Sequence, residues 1–221
     1  MTATPRGLYA LKAFYTRMLS PIASLAVRLK LSPDLFTVLG VAGGVLAGWA
    51  LATGNPWLVL FGVLVRLGGA NLDGVVARAR GVESPRGFWA NELGDRLGDW
   101  AMFAPILQLG LNPLAFGALL VAVALPTAVS LWGVVGRGAA RINGGPFGKT
   151  ERSLFVVLLG FAWPSVTAAP AGSQAGWLTQ LAASPEALLQ AWSWAVVAGS
   201  LVTAGMRWKR IRAEARGSRG E

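Results

Sequence analysis

Residues 72–99 read LDGVVARARGVESPRGFWANELGDRLGD and place Asp73, Glu92, Asp95 and Asp99, with Arg78, Arg80, Arg86 and Arg96, among hydrophobic runs long enough to cross a membrane. A charge at the middle of a bilayer costs about 3 kcal/mol even on the lenient insertion scale, so carboxylates in such a setting mark a functional site by default.

The composition outside this stretch supports the membrane setting. Hydrophobic residues make up 54% of the 221 and charged residues only 14%, and mean hydropathy is +0.53, whereas an ordinary soluble domain carries about 25% charged residues. There is no cysteine and no histidine. Disulfides, thiolate metal sites and the commonest zinc ligand and general base are therefore excluded. Any catalysis must run on carboxylates, lysine, hydroxyls or a hard metal ion.

A ruler of about 20 apolar residues per crossing predicts an all-α integral membrane protein with six transmembrane helices. They run near Phe36–Thr53, Trp57–Arg78, Gly87–Leu109, Leu114–Gly136, Ser153–Ala169 and Leu188–Met206. Asn55-Pro56, Asn112-Pro113 and the Gly/Ser/Pro-rich tract 170–185 supply turns. The second and third spans are polar for membrane helices, so five spans is the alternative count. The chain reads as one membrane domain over 1–221, with an interfacial arm (1–35), a six-helix bundle (36–206) and a basic tail (207–221).

Lysines and arginines fall in the arm, around the second connection, in the fourth and in the tail, and are absent from the first, third and fifth connections. By the positive-inside rule this puts both termini and the Asp-rich connection in the cytoplasm, in a cell or inner membrane. The formal charge of +10 is thus mostly topology, and no nucleic-acid partner is expected. From Tyr9 to Leu29, Leu11, Phe14, Tyr15, Met18, Leu19, Ile22, Leu25 and Ala26 recur at helical spacing between Lys12, Arg17 and Arg28. That pattern predicts an N-terminal amphipathic helix lying in the headgroup plane. Trp57, Trp163 and Trp208 lie near span ends and read as interface anchors.

Helical spacing turns the acidic stretch into a site. Asp73, Ala77 and Arg80 share one stripe of the second span, and Asn91, Asp95 and Asp99 share one stripe of the third. If the two spans are antiparallel neighbours, these stripes face each other near the cytoplasmic boundary. Oxygen ligands alone select Mg²⁺, Mn²⁺ or Ca²⁺. Gly74 and Gly87 leave room for a ligand to approach backbone. The alternative is that Asp95 and Asp99 pair with Arg96, Arg66 or Arg78 inside the bundle.

These residues resemble the signature of the CDP-alcohol phosphatidyltransferases, Asp-x-x-Asp-Gly-x-x-Ala-Arg, eight residues, then Gly-x-x-x-Asp-x-x-x-Asp. Asp73, Gly74, Ala77, Arg78, Gly87 and Asp95 fall in register with it, and Leu31-Ser32-Pro33-Asp34-Leu35-Phe36-Thr37 is similar to the family's Pro-Asn-x-x-Thr approach to the first span. The first and third aspartates of the signature fall on Ala70 and Asn91.

The resemblance implies phospholipid biosynthesis: an alcohol attacks the β-phosphorus of a CDP-linked lipid such as CDP-diacylglycerol and CMP is released. It further implies Mg²⁺ or Mn²⁺ held by Asp73, Asn91 and Asp95, with Asp99 as a further candidate, and Asp95 as the base. Gly74, Ala77, Arg78 and Gly87, with Asp73, would hold the CDP moiety. A homodimer is the family's expected assembly. The fourth connection adds Arg141, Lys149 and Arg152 around a glycine-rich loop, a candidate site for an acceptor phosphate; ordinary positive-inside charge is the alternative. Two further functional classes are a weakened or inactive homologue serving as a lipid-binding or partner subunit, and an ion transporter. Clustering of the acids at one membrane face and the lack of an internal repeat speak against the transporter.

Overall fold

Five helix starts among the described residues share one local device, a proline in the first turn preceded by a side chain that caps the open N–H groups. The computed structural model describes residues 15, 17–137, 142, 144–168 and 184–217. Among these run seven helices of nine or more residues: α1 (Ser20–Arg28), α2 (Pro33–Ala52), α3 (Pro56–Arg80), α4 (Pro85–Phe103), α5 (Pro113–Arg137), α6 (Lys149–Thr167) and α7 (Pro185–Gly217). The Ser32 hydroxyl accepts from the Asp34 N–H at the head of α2, the Asn55 carbonyl from Leu58 N–H on α3, and the Ser84 hydroxyl from Gly87 N–H on α4. Gly81 ends α3 at φ 64°, a left-handed turn that glycine adopts without strain. A short 3₁₀ segment, Ala104–Leu107, prolongs α4.

The protein is all-helical among its described residues, and four helices are long and apolar enough to cross a membrane: α2, α3, α5 and α7. The six expected spans each coincide with a helix, but α4 and α6 fall short of that standard. The cause is charge: α4 carries Arg86, Glu92, Asp95, Arg96 and Asp99, and α6 opens on Lys149, Glu151 and Arg152. Large apolar side chains cover the outer faces, with Trp49, Trp57, Phe61, Leu114, Val121 and Leu158 all exposed. Such a surface is a liability in water and costs nothing against lipid tails.

Helix α2 is the centre of the site-bearing half. It packs along both α3 and α4, whereas α3 and α4 hardly touch each other. The expectation that the second and third spans lie side by side is therefore corrected: the first span is wedged between them. Glycine makes this possible. A Cβ at Gly43 would sit 2.9 Å from the Arg66 Cα and 2.7 Å from the Gly62 oxygen, and one at Gly44 would collide with the Gly98 backbone. Only bare backbone admits such contact, which in membranes replaces the hydrophobic drive that helices have in water.

Within the expected N-terminal helix, residues before Tyr15 and Thr16 lie outside the described part. In α1, small Ala23 and Ala26 turn inward onto Phe36, Leu72 and Val76, while Met18 just before it, Ile22, Leu25 and the following Leu29 are exposed. The Tyr15 hydroxyl ties the arm to α3 by donating to the Leu64 carbonyl at 3.0 Å. Of the tryptophans read as interface anchors, Trp57 is exposed, Trp208 stacks on Trp132 at 4.7 Å, and Trp163 instead joins the core. Arg207, expected to begin a tail, is buried in the continuing helix α7 and donates to the Pro126 and Gly144 carbonyls.

Candidate active site

Three helices meet at a narrow cleft. Thr37 and Gly40 come from α2, Arg66, Ala70 and Asp73 from α3, and Gly94 and Asp95 from α4. Arg66, Ala70 and Asp73 are spaced four and three residues apart, so one face of α3 presents all of them. Because Gly40 has no side chain, the carboxylates of two helices that do not pack together face the same space across α2.

Asp73 is buried. One oxygen accepts the Gly74 N–H at 2.5 Å and the other the Thr37 hydroxyl at 3.3 Å. Asp95 receives Lys149 Nζ on both oxygens, at 2.8 and 2.7 Å. Arg66 Nη1 stands 3.8 Å from the same carboxylate, and Arg66 Nη2 donates to the Asp95 backbone carbonyl at 3.0 Å. One turn on, Asp99 is enclosed by three guanidiniums: Arg66 Nη2, Arg152 Nη2 at 2.9 Å and Arg96 Nη1 at 3.1 Å. The ion pairing weighed for Asp95 and Asp99 is thus present, with Lys149 and Arg152 as partners the sequence did not nominate for it.

The other expected site residues are placed as follows. The Arg78 guanidinium folds over Gly74, where a Cβ would meet Nη1 at 3.2 Å. Ala77 and Asn91 are half-buried. Gly87 spends its N–H on the Ser84 cap, and a Cβ there would meet only the Ser84 hydroxyl. Lys149 and Arg152, expected to face an acceptor phosphate, turn toward Asp95 and Asp99. Arg141 lies outside the described residues. Sequence reasoning did not nominate Gly40 or Gly94, and treated Arg66 only as an ion-pair partner. A lone arginine in mid-span, four residues before Ala70 and seven before Asp73, was the available signal.

With this geometry in view, the sequence model of the CDP-alcohol phosphatidyltransferases matches residues 30–206. The chain belongs to that family. Its members move a phosphatidyl group from a CDP-linked lipid to an alcohol, in phospholipid biosynthesis. The chain is 33% identical over 159 residues to the phosphatidylinositol phosphate synthase of Mycolicibacterium smegmatis, covering 67% of this chain and 69% of the relative. It is 29% identical to the inner membrane protein YnbA of Escherichia coli over 70% of this chain and 79% of that one. Among solved structures, the Mycobacterium tuberculosis phosphatidylinositol phosphate synthase with CDP-DAG bound superimposes with a TM-score of 0.60 at 24% identity, covering 88% of this chain and 94% of that one. The same enzyme in complex with manganese and citrate gives 0.59 at 24% identity, covering 86% and 87%. The apolar helices and these membrane relatives make the chain a multi-pass membrane protein.

The Mycobacterium tuberculosis relative was solved with manganese, and the donor set here does not fit two divalent ions. Ala70 offers no oxygen and Asn91 only neutral ones. Asp73 and Asp95 remain, and Asp95 is already neutralised by Lys149 with Arg66 beside it. Among the described residues no three acidic or imidazole side chains converge as a metal cage. A second ion would lack ligand charge, and a first would face two resident cations.

Proposed function

We propose that the cleft between α2, α3 and α4 binds the CDP head of a CDP-linked lipid and transfers the phosphatidyl group to an alcohol. The observation carrying this reading is that Asp73 and Asp95, the two signature carboxylates the chain retains, reach one cleft from two separate helices. Asp73, Gly74, Ala77, Arg78 and Gly87 are assigned to the CDP moiety. Asp95, oriented by Lys149, takes the acceptor's proton as its oxygen bonds to the β-phosphorus and the bond to the CMP leaving group breaks. Asp99, held by three arginines, is assigned to the scaffold. No step is routed through Mg²⁺ or Mn²⁺, since the donors fit them poorly.

Several finer assignments belong to the same proposal. The whole chain acts as one membrane domain, with α4 and α6 crossing the bilayer beside the four apolar helices. At 1.5 Å per residue the 19-residue helices span about 28 Å, close to the hydrocarbon thickness. Helix α1 lies in the interface, supported by its outward Ile22 and Leu25. The site and both termini face the cytoplasm, and the enzyme is a homodimer. Relatives named for phosphatidylinositol phosphate have a phosphorylated product, which supports a phosphorylated polyol as acceptor, drawn to the basic loop 141–152.

Purified protein given CDP-diacylglycerol and a panel of free and phosphorylated polyols should release CMP, and Asp95→Asn should lower the rate more than tenfold. A second reading is favoured by the substitutions at Ala70 and Asn91: a lipid-binding homologue without turnover. Saturable CDP-diacylglycerol binding with no CMP release from any acceptor would establish it in place of the enzyme.

A further inference from the structure

The cleft contains a buried cation whose donors are only partly used, with Arg66 Nη1 standing 3.8 Å from the Asp95 carboxylate without a hydrogen bond. Arg66 is fully buried, yet its Nε and Nη1 atoms have no hydrogen-bond partner, while Nη2 alone serves the Asp99 carboxylate and the Asp95 carbonyl. A buried guanidinium with idle donors costs stability, and such groups in native structures call for a reason. Its guanidinium also packs on α4, where a Cβ at Gly98 would meet Nη1 at 3.1 Å and Cζ at 3.2 Å. Its face borders the cleft beside Ala70, the position at which the family signature has an aspartate. Lys149, the other cation at the site, keeps 24% of its side chain exposed. It approaches Asp95 from the start of α6.

Charge balance points the same way. Asp73, Glu92, Asp95 and Asp99 are set against Arg66, Arg96, Lys149 and Arg152, so these charges balance with no metal present. A site built from four aspartates is strongly anionic and repels a diphosphate until divalent ions reverse its sign. Here two carboxylates are absent, Arg66 lines the cleft, and Lys149 pairs with the cleft's Asp95. Arginine is suited to such a place, because its planar fork presents two N–H donors to phosphate oxygens at once.

We propose that Arg66 and Lys149 form a built-in cationic cradle for the diphosphate of the CDP-linked lipid, in place of divalent ions. This rests on the CDP-lipid reading above and goes beyond it in naming what neutralises the diphosphate. Arg66 Nε and Nη1 bind phosphate oxygens over Ala70, and Lys149 swings part-way from Asp95 to share its charge with the ligand. The exchange leaves Asp95 freer to accept a proton while the donor lipid is bound.

The test is binding of short-chain CDP-diacylglycerol to the full chain in nanodiscs, measured with EDTA and with added Mn²⁺, alongside Mn²⁺ binding followed by electron paramagnetic resonance. Equal affinity within about twofold in the two conditions is expected, with no stoichiometric Mn²⁺ uptake. Lys149→Gln should weaken binding at least tenfold and Lys149→Arg should restore it. Because Arg66→Gln endangers folding, Lys149 at the rim carries the decisive comparison. Binding that disappears in EDTA and returns with Mn²⁺ overturns the cradle but leaves the CDP-lipid reading standing, as does unchanged affinity in Lys149→Gln. Absence of binding in both conditions by folded protein overturns both.

Discussion

At Asp99 one carboxylate meets three guanidiniums in a fully buried setting, and the energetic sign of that arrangement is set by what happens when the anion is removed. Asp99→Asn leaves Arg152 buried without its carboxylate and Arg66 with only the more distant Asp95, which for a broken interior pair costs about 3–5 kcal/mol. Thermal unfolding in detergent should show a large fall in Tm, while Glu83→Gln, on an exposed turn, stays within about 0.5 kcal/mol. Equal effects from the two changes would deny the network any structural role. Ala70 and Asn91 give the converse experiment. Ala70→Asp with Asn91→Asp adds two anionic ligands to the stripes that already present Asp73 and Asp95, so stoichiometric Mn²⁺ binding should appear in the double variant and be absent from the parent. If the parent already binds Mn²⁺ as tightly, the resident cations do not displace metal. These positions were legible from the signature spacing alone. What spacing hid was Lys149, separated from Asp95 by 54 residues, because no periodicity links residues on helices that far apart.

At the scale of the helix, the glycines of α2 decide how closely the acidic helices approach. Gly43→Ala introduces a methyl 2.7 Å from the Gly62 oxygen and closer still to the Arg66 backbone nitrogen. Neither neighbour is a flexible side-chain end, so α2 and α3 must separate, at a cost of about 1–3 kcal/mol. Gly117→Ala on α5, where nothing lies within 4 Å, is the control and should be neutral or slightly stabilising. A smaller loss of Tm from Gly43→Ala than from Gly117→Ala would contradict backbone-to-backbone packing at α2. Helix starts were readable because Ser32-Pro33, Asn55-Pro56 and Ser84-Pro85 each supply a cap and a proline. The wedge was not, although Gly40, Gly44 and Gly48 recur every four residues, the small-residue spacing that brings membrane helices together. Short connections favour sequential neighbours, and here a glycine face outweighed that preference.

At the scale of the molecule, alternating basic connections define a topology that accessibility labelling tests directly in a chain without cysteine. Cysteine introduced at Glu83, between α3 and α4, should react from the cytoplasmic side, and at Ser184, before α7, only from the opposite one. Labelling of both from the same side would mean that α4, α5 and α6 together cross an even number of times. Hydropathy could not settle this count, because α4 and α6 carry the site's own charges and so resemble soluble helices in composition. The shared ion cluster also imposes an order on biogenesis. Arg66 precedes its Asp95 and Asp99 partners by 29 and 33 residues, whereas Arg152 follows Asp99 by 53. When α4 leaves the ribosome, only Arg66 and its own Arg96 are at hand to shield two carboxylates from lipid. On the proposed six-span topology the helix would therefore enter with α3 as a preassembled unit or wait at the translocon until α6 arrives, and a nascent chain halted before Lys149 would be left with an α4 that has no stable place in the bilayer.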